Sequence, residues 1–233
     1  ALSGCKGERH HTSDMRLYEL MQHKITVISG HFGSGKTNVA LNLALDAADA
    51  GEQVSIADLD IVNPYFRTAD SEAFLRARGI KPLVPQYANT NVEIPTLPEA
   101  LGEIFYGGRR AVVDVGGDPE GAAALGCDRD RYAKAGYDMY FVCSFYRPAT
   151  LCAEDALTLL RETELASGMH FCGIINNSNL GRLTEPSTVE ATLEEGEKLA
   201  PRGDSGRGGD GGGAAVLRQS GADSKPDKTT VLK

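Results

Sequence analysis

Between about Lys24 and Ala200 the chain alternates short, continuously apolar runs with longer stretches of mixed polarity. The runs KITVIS (24–29), QVSIAD (53–58), RAVVDV (110–115), DMYFVC (138–143) and HFCGIIN (170–176) are rich in β-branched and aromatic residues and predict five strands. KPLV, at 81–84, adds a short extended piece. Apolar residues three and four positions apart, among good helix formers, predict helices over Lys36 to about Ala50, Asp70 to Arg78, Pro98 to Phe105, Thr150 to Ala166 and Val189 to Ala200. Strands that alternate with helices and are apolar on both faces imply a mostly parallel sheet covered on both sides. The expected fold class is a three-layer α/β sandwich.

The ends break this rhythm. Residues 1–21 are polar and without periodicity, and read as an N-terminal extension to a domain over 22–200. Residues 201–233 hold eight glycines and few β-branched residues. A segment of that kind buries too little apolar surface to offset its ordering entropy, so a disordered tail is expected. Two origins stand open: a flexible interaction tail, or a changed reading frame or vector-derived scar in place of a final strand and helix. The second is favoured, because the preceding helix stops in mid-pattern.

Composition narrows the function classes. A net charge of −8 disfavours a general nucleic-acid binder, whose phosphate contacts need a basic face. No apolar run approaches the roughly 18 residues of a membrane span, and no secretory signal is visible. The five cysteines form no C-x-x-C pair and mostly sit among apolar residues, which reads as a reducing, cytoplasmic location.

Chemistry enters at GHFGSGKT, residues 30–37, which follows the first strand and opens the first helix. The spacing is G-x-x-x-x-G-K-[ST], the phosphate-binding P-loop. In that position the backbone N–H groups of Gly30, His31, Phe32, Gly33, Ser34, Gly35 and on to Asn38 can surround phosphate oxygens, with the helix N-terminus adding positive potential. Lys36 reaches the β- and γ-phosphates, and the Thr37 hydroxyl is a Mg²⁺ ligand. In an open parallel sheet the ligand lies beyond the carboxyl ends of the strands. Asp114 ends the run AVVD there, where a Mg²⁺-holding acid belongs, and Gly117 follows at a spacing that brings its N–H to the γ-phosphate. Asp58 and Asp60 end the second strand, and one of them contacts the Mg²⁺ shell or orients the attacking water.

GHFGSGKT, DLDIVNP and VVDVGGD together resemble the MinD/ParA and CobQ/CobB-type nucleotide-binding domains of the SIMIBI-class P-loop NTPases. The resemblance spans roughly Lys24 to Ala200 and looks closest to a bacterial branch of ATP-binding proteins. It implies that Asp60 orients the hydrolytic water and that Asp114 is the Walker-B acid. It also implies an Asn at the end of the fifth strand contacting adenine, which makes Asn176 and Asn177 candidates. One position departs from the pattern: MinD and ParA proteins carry a lysine just after the first loop glycine, and here it is His31. Nucleotide-sandwich dimerisation assisted by that lysine is therefore not carried over. Arg67 and Arg147 are candidates for a cation approaching the ligand.

The base can be argued at IINNSNLG. Guanine readers place an Asp carboxylate, with two acceptors, where this chain has Asn179, whose amide offers one acceptor and one donor. ATP is expected ahead of GTP. The leading expectation is Mg²⁺-dependent ATP binding with slow hydrolysis that couples nucleotide state to a protein partner or a second copy of the chain. The alternatives are a metallochaperone-type GTPase, a small-molecule kinase or ligase with an acceptor pocket in loops 61–69 and 85–97, and a nucleotide-gated binding protein that does not hydrolyse.

Overall fold

The computed structural model describes residues 16–59, 69–83, 99–117, 119–199 and 216–218. Its strands are β1 (Ile25–Gly30), β2 (Val54–Asp58), β3 (Lys81–Leu83), β4 (Arg110–Asp114), β5 (Tyr137–Cys143), β6 (Gly173–Asn176) and β7 (Val216–Arg218). They form one sheet in the order β3-β2-β4-β1-β5-β6-β7, and every pairing is parallel. The α-helices are α1 (Lys36–Asp49), α2 (Ala69–Ala77), α3 (Glu99–Tyr106), α4 (Pro119–Cys127), α5 (Arg129–Ala135), α6 (Ala153–Ser167), α7 (Pro186–Glu190) and α8 (Leu193–Leu199), and short 3-10 turns stand at Leu17–Leu20, Pro148–Thr150 and Gly181–Leu183.

Alternation along the strands sorts the core into two faces. Ile28, Ile56, Val112, Tyr140, Val142 and Ile175 point to one side and pack with Val39, Leu43 and Ala47 of α1 and Leu75 of α2. Ile25, Val27, Ala111, Val113 and Met139 point to the other, against Ile104 and Phe105 of α3, Leu125 of α4 and Tyr132 of α5. On that same face, Phe141, Cys143 and Ile174 meet Ala153 and Ala156 of α6 and Leu199 of α8. The three-layer sandwich expected from the alternation is the observed fold.

The sheet is wound outward from β1. The chain runs from β1 to β2 and β3 on one side, returns to insert β4 beside β1, then crosses to β5, β6 and β7 on the other. A crevice opens where neighbouring connections leave in opposite directions, beyond the carboxyl end of β1. The loop 30–37 stands there.

Three expectations need correction. Residues 16–21 are not a polar extension: Leu20 and Met21 are buried in the core beside α1. Asp46 of α1 accepts from Arg16 (Nη2, 3.0 Å) and from the Tyr18 N–H (3.0 Å), and Tyr140 Oη donates to the Leu20 carbonyl (2.9 Å). The apolar spacing Leu17, Leu20, Met21 carries this packing within an otherwise polar run. Within the segment read as a disordered tail, Val216–Arg218 pairs with Ile174–Asn176 as the edge strand β7. AAVLR is the one apolar run in its glycine-rich surroundings, and so the piece able to form a strand. Finally, the single helix over 189–200 is two helices, α7 and α8, broken at Thr192, whose carbonyl and hydroxyl both accept from the Asn176 amide (3.3 and 3.0 Å).

Candidate phosphate-loop site

The loop between β1 and α1 is shaped by two left-handed residues, Gly33 (φ +79°) and Gly35 (φ +83°), a conformation that side chains disfavour. The Ser34 N–H closes a turn on the His31 carbonyl (3.0 Å). Gly35 is the N-cap of α1 and supplies no side chain to the first helical amides, the groups that a helix N-terminus offers to an anion. Lys36 is only 6% exposed, although it opens the helix. Thr37 is half-buried, Asn38 and Gly33 are exposed, and Phe32 stands 68% exposed above the loop. The Nδ1 of half-buried His31 is enclosed and meets no hydrogen-bonding partner among the described residues.

The acidic groups come from the two strands on one side of the loop. Asp58 and Asp114 are register partners on β2 and β4, so their Cα atoms sit about 5 Å apart, and both side chains are buried. Asp114 is also level with Ile28 of β1, two residues before Gly30. The backbone knits the three strand ends together: Leu59 N–H to Asp114 O (2.8 Å) and Val115 N–H to Ile28 O (3.0 Å). Gly117 lies directly on the loop. A Cβ there would collide with the Gly30 carbonyl and stand 3.0 Å from the His31 carbonyl carbon and the Phe32 nitrogen. The glycine is required because the β4 segment and the phosphate loop touch backbone to backbone. Asp60 and Arg67 lie outside the described residues, as do most of loops 61–69 and 85–97.

On the other side, β5 and β6 send side chains to the loop. Arg147 Nε donates to the Gly33 carbonyl (2.9 Å), and Asn177 Nδ2 donates to the Ser34 carbonyl (2.8 Å). The Asn176 amide is occupied within the protein: Nδ2 donates to Thr192, and Oδ1 accepts from the Ser178 N–H (3.1 Å) and hydroxyl (2.6 Å). The half-buried Asn179 is engaged locally, with Nδ2 donating to the Asn177 carbonyl (2.9 Å) and Oδ1 accepting from the Gly181 N–H (3.1 Å). The loop-to-Asn177 contact was invisible in the sequence, since 143 residues separate the partners. The P-loop residues, Asp58, Asp114, Gly117, Arg147 and Asn177 are thus gathered at one pole of the sheet.

The donor set suits Mg²⁺ bound with a nucleotide: a threonine hydroxyl at the head of α1 and two neighbouring carboxylates, with phosphates and water filling the rest of an octahedron. Among the described residues no group of three or more His, Cys, Asp or Glu could by itself hold a metal ion.

Residues 20–90 match the ParA family model, described as NUBPL iron-transfer P-loop NTPase. That match takes in the glycine loop at residues 30–37. The matched segment, less than a third of the chain, carries the loop, α1 and β2, and the resemblance to the SIMIBI class read from the sequence motifs is the one the family model finds. No curated protein sequence matches the chain. Among solved structures, the chain is similar to a nucleotide-binding protein in complex with ADP from Archaeoglobus fulgidus (17% identity, 77% of this chain and 81% of that one, TM-score 0.40). It is also similar to FlhF complexed with GMPPNP and Mg²⁺ (16%, 77% and 68%, 0.46) and to the hydrogenase maturation factor HypB from Archaeoglobus fulgidus (13%, 76% and 92%, 0.32). No helix among the described residues is long and apolar enough to cross a membrane.

Proposed function

We propose that the chain binds ATP with Mg²⁺ at loop 30–37, hydrolyses it slowly, and uses the nucleotide state to control binding of a protein partner. The observation that carries this reading is the convergence on one crevice of the Lys36–Thr37 helix head and the adjacent carboxylates of Asp58 and Asp114. The loop amides and Lys36 would hold the β- and γ-phosphates, while Thr37, with Asp114 and Asp58 directly or through water, would hold Mg²⁺. Bound there, the ion would neutralise charge on the terminal phosphates. Asp60, four residues from β2's centre and just past its end, takes the water-orienting role that the family resemblance assigns it. Turnover without a stimulating arginine is expected to be on the order of 10⁻⁴ s⁻¹.

Adenine is preferred over guanine on the chemistry of residue 179. Guanine recognition there needs a carboxylate with two acceptors, whereas the single acceptor of Asn179 already receives the Gly181 N–H. A partner surface at the same pole is supported by large apolar side chains left in water after the carboxyl ends of β1, β5 and β6: Phe32, Leu151, Leu180 and Leu183. Equilibrium binding of fluorescent ATP and GTP analogues, with and without Mg²⁺, tests the reading. Tighter ATP binding that requires Mg²⁺ and is lost in Lys36→Ala is expected; equal or tighter GTP binding would replace it with the GTPase alternative.

A further inference from the structure

Two side chains from different strands grip consecutive carbonyls of the phosphate loop, Arg147 at Gly33 and Asn177 at Ser34. A trans peptide is planar, so fixing the direction of a C=O fixes the following N–H in the opposite direction. Holding the Gly33 carbonyl turns the Ser34 N–H back onto the His31 carbonyl, where it is found (3.0 Å). Holding the Ser34 carbonyl turns the Gly35 N–H away from Asn177 and towards the opposite side of the loop.

Both grips have fixed anchors. Arg147 stands in a tight turn after β5. Its N–H donates to the Ser144 carbonyl (3.1 Å), which also accepts from the Thr150 hydroxyl (2.7 Å), and the Thr150 N–H closes on the Arg147 carbonyl (3.0 Å). Pro148 stiffens that turn, and Thr150 is fully buried. Asn177 is 6% exposed, and its N–H is held by the Cys143 carbonyl (2.9 Å) at the end of β5. Gly35 leaves room for it, since a Cβ at that position would collide with the Asn177 amide nitrogen. The neighbouring Tyr146 hydroxyl donates to Thr188 of α7 (2.6 Å), so the same turn is tied to the C-terminal helices.

We propose that Arg147 and Asn177 are positioning residues that hold the phosphate loop in its receptive shape before any ligand arrives. This deepens the nucleotide reading and rests on it. It also changes the role expected of Asn177: the residue acts on the loop that grips phosphates, whatever base follows them. The loop then meets its ligand without first paying to order itself, which is the advantage of a preorganised site.

The discriminating ligands are Mg-ATP, Mg-ADP and Mg-pyrophosphate, titrated calorimetrically against the full chain and the variants Arg147→Ala, Arg147→Lys and Asn177→Ala. Each alanine variant is expected to weaken all three ligands by the same factor, about ten-fold, which corresponds to about 1.4 kcal/mol. Arg147→Lys, retaining one donor, is expected to recover part of that loss. In the ligand-free chain, hydrogen exchange over residues 31–36 is expected to speed up in both alanine variants while the rest of the sheet exchanges as before. Loss of ATP affinity in Asn177→Ala with pyrophosphate affinity intact would make Asn177 a base contact and overturn the proposal. Unchanged loop exchange in both variants would overturn it too. If the unaltered chain bound none of the three ligands, the nucleotide reading would fall, and loop exchange alone would decide the clamp.

Discussion

Single atoms decide most of what this site can do. Gly117 is the sharpest case, because its missing Cβ is what lets the β4 segment rest on Gly30–Phe32. Gly117→Ala is expected to push the two backbones apart, costing about 1–3 kcal/mol in urea unfolding and weakening Mg-ATP binding in the same protein. Unchanged binding would show that the contact does not shape the loop. The cysteines give a second residue-scale test. Burial pushes the Cys143 thiol up to about 12 and the Cys172 thiol up to about 11, whereas Cys127 is exposed. Thiolate is the reacting form, so alkylation of the native protein at pH 8 is expected at Cys127 well before Cys143 or Cys172. Folded thiols held neutral contribute fully below the ordinary thiol range near 9, and that contribution is lost as pH climbs from there towards 11 and 12. Thermal unfolding of the unaltered chain and a Cys172→Ala variant across pH 7–11 reads this: the gap between them should shift above pH 9 and stay level below it.

At the scale of elements, legibility in the sequence follows how much of an element's character is local. β1, β2, β4 and β5 were readable because a strand buried on both faces must be apolar throughout, and α1 because Val39, Leu43 and Ala47 repeat at helical spacing. α4 and α5 were not assigned. PEGAAALGC is built of small residues with little contrast between faces, and its helix is fixed by close packing on α6, where Gly126 sits 3.0 Å, by its would-be Cβ, from the Ser167 carbonyl. The phosphate loop was legible for another reason: its chemistry needs particular residues at fixed spacing, so Gly30 to Thr37 spell their task. Arg147 and Asn177 were legible as candidate ligand contacts, but their bonds to the loop carbonyls carry no local signal, because the fold alone brings the partners together. The strap over 16–21 was missed in the same way. Asp46→Ala removes its bonds to Arg16 and the Tyr18 N–H, and with the arginine half in water about 1–2 kcal/mol of stability should go with it. Nucleotide affinity should be untouched, since Asp46 is on the last turns of α1, away from the loop. A variant that lost nucleotide binding instead would tie the strap to the site.

For the whole molecule, the winding order places one glycine loop, two carboxylate-bearing strand ends and two bracing side chains at a single pole. Such a site should make its ligand a stabiliser of the entire sheet. At a free Mg-ATP concentration a hundred times Kd, linkage predicts about 2.7 kcal/mol of added stability, visible as a raised Tm that Lys36→Ala does not share. The most direct test of the central claim is phosphate release from Mg-ATP and Mg-GTP by the purified chain, beside Lys36→Ala. Slow release from ATP, faster than from GTP and abolished in the variant, is the predicted result. Release that persisted in Lys36→Ala, or none from either nucleotide by the unaltered chain, would contradict it.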